Sequence, residues 1–148
     1  MHVIDTNVLL YAADADSEFY QPCRHLIEQL RRQSTPWFLT WSICYEFLRV
    51  STHPRVYQKP WGGQAAWRFI EAVLACPVVS MLSATPKHAA VLQECLQEMP
   101  EVRGNLIHDL HIAVLMREHG IARIVTCDSD FHRFSFLQVI DPLRMTQR

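Results

Sequence analysis

Five carboxylates stand where a chain that builds an apolar core avoids them. Asp5 ends the run HVI and precedes TNVLLYA, while Asp128 and Asp130 follow RIVTC, so all three fall at the ends of short apolar segments. Glu46, in WSICYEFLRV, shares a helical face with Ile43 and Val50. Asp109 repeats the pattern, three residues after Leu106 and four before Ala113. An isolated buried carboxylate costs several kcal/mol or protonates, so such groups persist where a cation or a hydrogen-bond network compensates them. Gathered together they repel unless hard divalent cations sit among them, and an oxygen-only ligand set suits Mg2+ or Mn2+. Each acid alone has a plainer role. Asp5 and Asp128 fit turns or helix caps, Glu46 can pair with Arg49, and Asp109 can cap or pair with His108. Only their conjunction at one edge of one sheet points to a site.

That edge requires particular elements. The segments 2–4, 36–39, 78–82, 122–126 and 137–140 are short, rich in Val, Ile, Leu and Phe, and bounded by Pro, Ser, Asp or Gly, as buried strands are. Between them, 19–33, 41–52, 63–75, 86–98 and 105–119 carry helical periodicity, exemplified by Leu26, Ile27 and Leu30. Thr85-Pro86 resembles a helix N-cap with proline at the first helical position, and Gly120 a C-terminal stop. Strands alternating with helices predict a short parallel sheet in a three-layer α/β/α sandwich, read here as one domain over 1–148. In such sheets function sits at the carboxyl ends of the strands. The one irregular stretch is the loop 53–62, HPRVYQKPWG.

Composition narrows the classes. The chain has 148 residues, 49% of them hydrophobic, enough for a closed core in one domain. Its five cysteines (Cys23, Cys44, Cys76, Cys95 and Cys127) are scattered and never in C-x-x-C, which argues against a disulfide scaffold or zinc ribbon. With no basic segment before Asp5 and no apolar run near the roughly 20 residues of a membrane helix, neither a signal peptide nor membrane insertion is expected. A cytoplasmic setting follows as the expectation. The formal net charge of −1 gives no global case for polyanion binding, so any such attraction must be local.

The motifs D-T-N-V-L-L-Y-A, E-F-L-R, G-N-L-I-H-D-L-H-I-A and T-C-D-S-D-F, in this order and at these spacings, resemble the PIN-domain toxins called VapC. The likeness spans essentially the whole chain. It implies a PIN-like fold and a Mg2+-dependent endoribonuclease (Mn2+ substituting) that cuts structured or translation-related RNA such as tRNA or rRNA. It further implies a homodimer and silencing by a cognate antitoxin. The family's acidic quartet falls on Asp5, Glu46, Asp109 and Asp128, with Asp130 as an additional ligand or structural acid. His108 departs from the small or hydroxyl residue common before the third acid. On this reading Asp5 and Asp109 hold the principal ion, Glu46 and Asp128 orient water or help to bind a second, and Thr6, Asn7 and Thr126 donate hydrogen bonds that fix carboxylate orientation.

RNA docking is expected from Arg49 and from Arg55 and Lys59 in the following loop, because an acidic pocket needs nearby cations to hold a polyanion. The eight histidines form no H-x-x-x-H or H-E-x-x-H pattern and are expected on ordinary helix faces. Trp37, Trp41, Trp61 and Trp67 are expected as core or dimer-interface anchors. Two other readings fit strand-end acids: a PIN domain in RNA processing or in binding without cleavage, and an aspartate phosphoacceptor domain. The latter needs a lysine after a late strand, and the chain has only Lys59 and Lys87.

Overall fold

The apolar segments become five strands of three or four residues in a computed structural model that describes residues 1–145. The chain runs β1 (His2–Ile4), α1 (Thr6–Ala13), α2 (Tyr20–Arg32), β2 (Trp37–Thr40), α3 (Trp41–Ser51), α4 (Gly63–Leu74) and β3 (Val79–Leu82). It continues with α5 (His88–Glu98), α6 (Leu106–Glu118), β4 (Arg123–Val125), a 3₁₀ turn (Ser129–Arg133), β5 (Gln138–Ile140) and α7 (Pro142–Met145). All neighbouring strands are parallel, in the order β3-β2-β1-β4-β5, with Val3 opposite both Phe38 and Ile124. The α/β/α expectation therefore holds. α1 packs on α2 and α3, α3 on α4 and α2 on α7, while α5 packs on α6.

The strand order places the site. From β1 the chain moves outward through β2 to β3, then returns to lay β4 on the other side of β1. At this reversal the connections leave the sheet in opposite directions and open a crevice beyond the carboxyl ends of the two central strands. Asp5 follows β1 there, and Thr126 to Asp130 follow β4.

Two elements were not legible as periodic patterns. In α1, Val8, Leu9 and Ala12 are buried within a run so uniformly apolar that no polar face marks the helix, and Asp5 rather than periodicity starts it. The four-residue α7 is too short to show a period. The Thr85-Pro86 expectation needs correction. α5 begins at His88, and Thr85 instead accepts from Lys87 N–H through its hydroxyl (3.1 Å) while donating that hydroxyl to Glu118 (2.6 Å). The buried Glu118 carboxylate, which also receives Thr85 N–H and lies 2.7 Å from His88 Nδ1, thus ties the approach to α5 onto the end of α6.

Gly120 does end α6 as expected. Its φ of 66° is the left-handed conformation that only glycine adopts freely. There Ile121 N–H reaches Met116 O (2.9 Å) and Gly120 N–H reaches Arg117 O (3.2 Å), closing the paired C-terminal turn, with Ile121 buried near Met116 in the core.

Of the four tryptophans, Trp37 is fully buried, Trp61 packs edge-on to Phe47 and Phe69, and Trp67 rests against the core. Trp41 departs from the core alternative, because the start of α3 leaves it half exposed. All five cysteines are free thiols. Among the described residues, no helix is long and apolar enough to cross a membrane.

Candidate metal centre

Asp5 is built into the strand–helix junction. Its own N–H continues the sheet to Val125 O (3.0 Å), and its Oδ1 accepts Thr6 N–H (2.7 Å), capping α1. Its Oδ2 accepts from the Thr126 hydroxyl (2.6 Å) and from Asn7 Nδ2 (2.8 Å). Burial raises this carboxyl to about 6; the hydrogen bonds from Thr126, Thr6 and Asn7 oppose the rise, and the charge of Asp128 adds to it.

Thr126 joins the two central strands. Besides donating to Asp5, its hydroxyl oxygen accepts Asp128 N–H (2.9 Å) and Asn7 Nδ2 (3.0 Å), and Asn7 Oδ1 in turn accepts Cys127 N–H (3.0 Å). Asp128 then caps the 3₁₀ turn by accepting Asp130 N–H (2.8 Å), which swings Asp130 back beside it. Asn7 and Thr126 are thus the orienting donors expected from the sequence. Thr6 acts through its main-chain N–H, since its hydroxyl faces Ile43 O (3.4 Å). The N–H donors of Cys127, Asp128 and Asp130 have no side-chain signature and could not be read from residue types.

The result is one acidic cluster. Carboxylate oxygens of Asp109, Asp128 and Asp130 all lie within 4.8 Å of one another. Oxygens on opposite sides of a hard cation stand about 4–5 Å apart, given metal–oxygen distances of about 2.0–2.6 Å, so this oxygen-only set fits a Mg2+-class ion. Asp109, half-buried on α6, is pushed up to about 7 by burial first and then by the charges of Asp5, Asp128, Asp130 and Glu46. Its carboxyl therefore registers all four other acids singled out in the sequence.

Asp5 and Glu46 stand outside the close triplet. Three donors fix Asp5 at the junction and leave its Oδ1, which accepts only Thr6 N–H, a lone pair, and Asp130 stands in the triplet beside Asp128. Glu46 is bound by two hydrogen bonds to Arg49 (2.6 and 2.9 Å), which hold it below the usual carboxylate range. Of the cations expected to dock RNA, Arg49 is engaged by Glu46, and Lys59 pairs with Asp16 (2.9 Å). Arg55 is exposed and makes no side-chain ion pair among the described residues.

Raised carboxyls have a thermodynamic signature. Between pH about 4 and 7 the folded state holds protons on Asp5 and Asp109 that the unfolded chain has already released, so these groups make stability fall as pH rises through that window. In chelator, the melting temperature of Asp109→Asn should decline less between pH 4.5 and 7.5 than that of the parent. Parallel pH profiles would show that Asp109 titrates as it does in an unfolded chain.

A family model for the PIN domain matches residues 2–137, a span that contains all five acids. The chain belongs to the PIN-domain family. Within that family it is similar to Ribonuclease VapC48 of Mycobacterium tuberculosis, 31% identical over 138 residues that cover 93% of this chain and 94% of that one. The PIN fold also superposes on VapC20 of Mycobacterium tuberculosis, described as a sarcin-ricin loop cleaving toxin, with a TM-score of 0.69, 17% identity, and 95% and 100% of the two chains covered. A third match is VapBC2 of Rickettsia felis bound to a DNA fragment from their promoter, with a TM-score of 0.66, 17% identity, and 94% and 96% covered. The resemblance carried by DTNVLLYA, EFLR, GNLIHDLHIA and TCDSDF is thereby upheld, and this PIN domain is of the VapC kind.

Proposed function

We propose that this PIN domain is a Mg2+- or Mn2+-dependent endoribonuclease and the toxin of a toxin–antitoxin pair. The observation that carries the reading is the Asp109–Asp128–Asp130 triplet at the sheet reversal, with the buried Asp5 carboxylate close enough to raise Asp109. Support for RNA as substrate comes from the relative named a ribonuclease at 31% identity.

The chain's part in phosphodiester hydrolysis is to hold, orient and exclude. Asp109, Asp128 and Asp130 would hold the cation. A divalent ion there supplies Lewis acidity that activates water and offsets charge on the phosphoryl oxygens. Asp5 adds negative charge beside the triplet and would share in holding the ion through Oδ1, and its three donors fix it in place. Glu46, half exposed on α3 and paired with Arg49, would orient water at the cluster or help to bind a second ion once Arg49 engages phosphate. Arg55 and, on release from Asp16, Lys59 supply cations along the adjoining loop. A homodimer, a cognate antitoxin that silences the site, and action in the cytoplasm complete the proposal.

The test is direct. Purified protein should cut RNA with Mg2+ or Mn2+ and stop in EDTA, and co-expression with the product of an adjacent small antitoxin gene should yield an inert complex. Cleavage that persists in EDTA would remove the metal from the reaction. RNA binding without cutting under any divalent cation would favour the non-cleaving alternative.

A further inference from the structure

α3 carries an exposed aromatic pair that the reaction chemistry does not use. Trp41 and Tyr45 are 51% and 69% exposed, and their rings stand 6.5 Å apart. One turn further on the same face lies Arg49, its side chain 61% exposed. The strip starts at the same pole of the sheet as the acidic cluster. Trp41 immediately follows the carboxyl end of β2, the first turn of α3 is bonded to the Asp5 junction through Thr6 and Ile43, and the Glu46 charge beside Tyr45 is felt at Asp109.

We propose that Trp41 and Tyr45 are a stacking platform for unpaired bases of the RNA strand whose phosphate enters the acidic cluster, with Arg49 receiving a phosphate one turn along. The proposal rests on the ribonuclease reading and deepens it, because it selects unpaired RNA over duplex. Aromatic faces take any base by stacking, and a neighbouring guanidinium tracks the backbone. A paired base within an A-form helix keeps its faces against its neighbours and cannot reach the platform. A second copy of the chain is the weaker occupant. Stable interfaces bury about 800 Å² per partner, and this patch is two side chains bounded by the charged Glu46–Arg49 pair.

The experiment uses the full chain in an Asp109→Asn background to prevent cutting, with Mg2+ present. Its probes are a single-stranded RNA carrying 2-aminopurine at successive positions, the same strand with one abasic nucleotide, and a blunt RNA duplex. One 2-aminopurine position should be quenched on binding. Trp41→Leu and Tyr45→Leu should each weaken single-strand affinity about tenfold or more and change duplex affinity little, while Tyr45→Phe keeps parental affinity. The abasic strand should bind the parent as weakly as the intact strand binds Trp41→Leu.

Parental affinity in both leucine variants, with RNA still bound, overturns the platform and leaves the ribonuclease reading standing. An RNA-independent shift from dimer to monomer in sedimentation, with single-strand affinity per protomer unchanged, also overturns it and assigns the face to a second copy. Failure of the parent-derived protein to bind any of the RNAs overturns the platform together with the reading beneath it.

Discussion

Asp109→Asn should leave a folded protein whose RNA cleavage has fallen at least about a hundredfold, since a bound cation contributes several kcal/mol to such a reaction and each 1.4 kcal/mol is a factor of ten. The amide matches the carboxyl in volume but removes one anion from the only group of three or more ligand-range acids among the described residues. It also removes repulsion with Asp5, Asp128, Asp130 and Glu46, so the variant without metal should melt at or above the parent at neutral pH. Mg2+ should then raise the parent's melting temperature more than the variant's. Equal metal-induced shifts, or cleavage at the parental rate, would remove Asp109 from the centre. Asp5→Asn is the less clean test. Its new amide nitrogen must face either Thr6 N–H or the Thr126 and Asn7 donors, setting donor against donor at a buried junction.

Thr126→Val should be the most damaging change that leaves every acid in place. Valine keeps the shape but removes the shortest hydrogen bond to Asp5 and the acceptor for Asp128 N–H and Asn7 Nδ2. Leaving these buried groups unsatisfied should cost about 1–3 kcal/mol of stability, and loosening the carboxylates should lower cleavage about 10–100-fold. With its largest opposing hydrogen bond gone, the Asp5 carboxyl should move further above about 6, shifting the acid limb of the rate profile to higher pH. Thr126→Ser, which retains the hydroxyl, should recover most of the stability and rate. Calorimetry and pH–rate profiles of the three proteins check this, and a valine variant with the parental melting point and profile would show that the bridge is dispensable.

What could be read from residue types is what repeats or violates a pattern. The strands and the five long helices were legible because buried parallel strands are short apolar runs and amphipathic helices keep a period, and the acids because they break those patterns. α1 was hidden by its uniform apolarity, since helical period needs a polar face to be visible. The grouping of acids was partly legible. Topology carries Asp5 and Asp128 to adjacent strand ends, and Asn7 and Thr126 were legible as donors, but which oxygens converge also depends on the 3₁₀ turn that returns Asp130 through its backbone N–H, a group that carries no residue signature. The expectation for Glu46 divided similarly. Its apolar face was visible, whereas its capture by Arg49 depends on rotamers that spacing permits without requiring.

The pairing of Val3 with Ile124 has a consequence for how such a molecule comes into being. β1 occupies the middle of the sheet, and β4, its partner on one side, is synthesised more than a hundred residues after it. A contact of that sequence separation forms late, because a large loop must be closed before it is rewarded. During synthesis the growing chain can assemble β1, β2 and β3 with their helices, but the pole that carries Asp128 and Asp130 has yet to emerge. The acidic cluster thus closes only once β4 and the 3₁₀ turn have joined β1. A fragment ending before residue 124 lacks β4 together with Asp128 and Asp130, and so cannot assemble the acidic triplet.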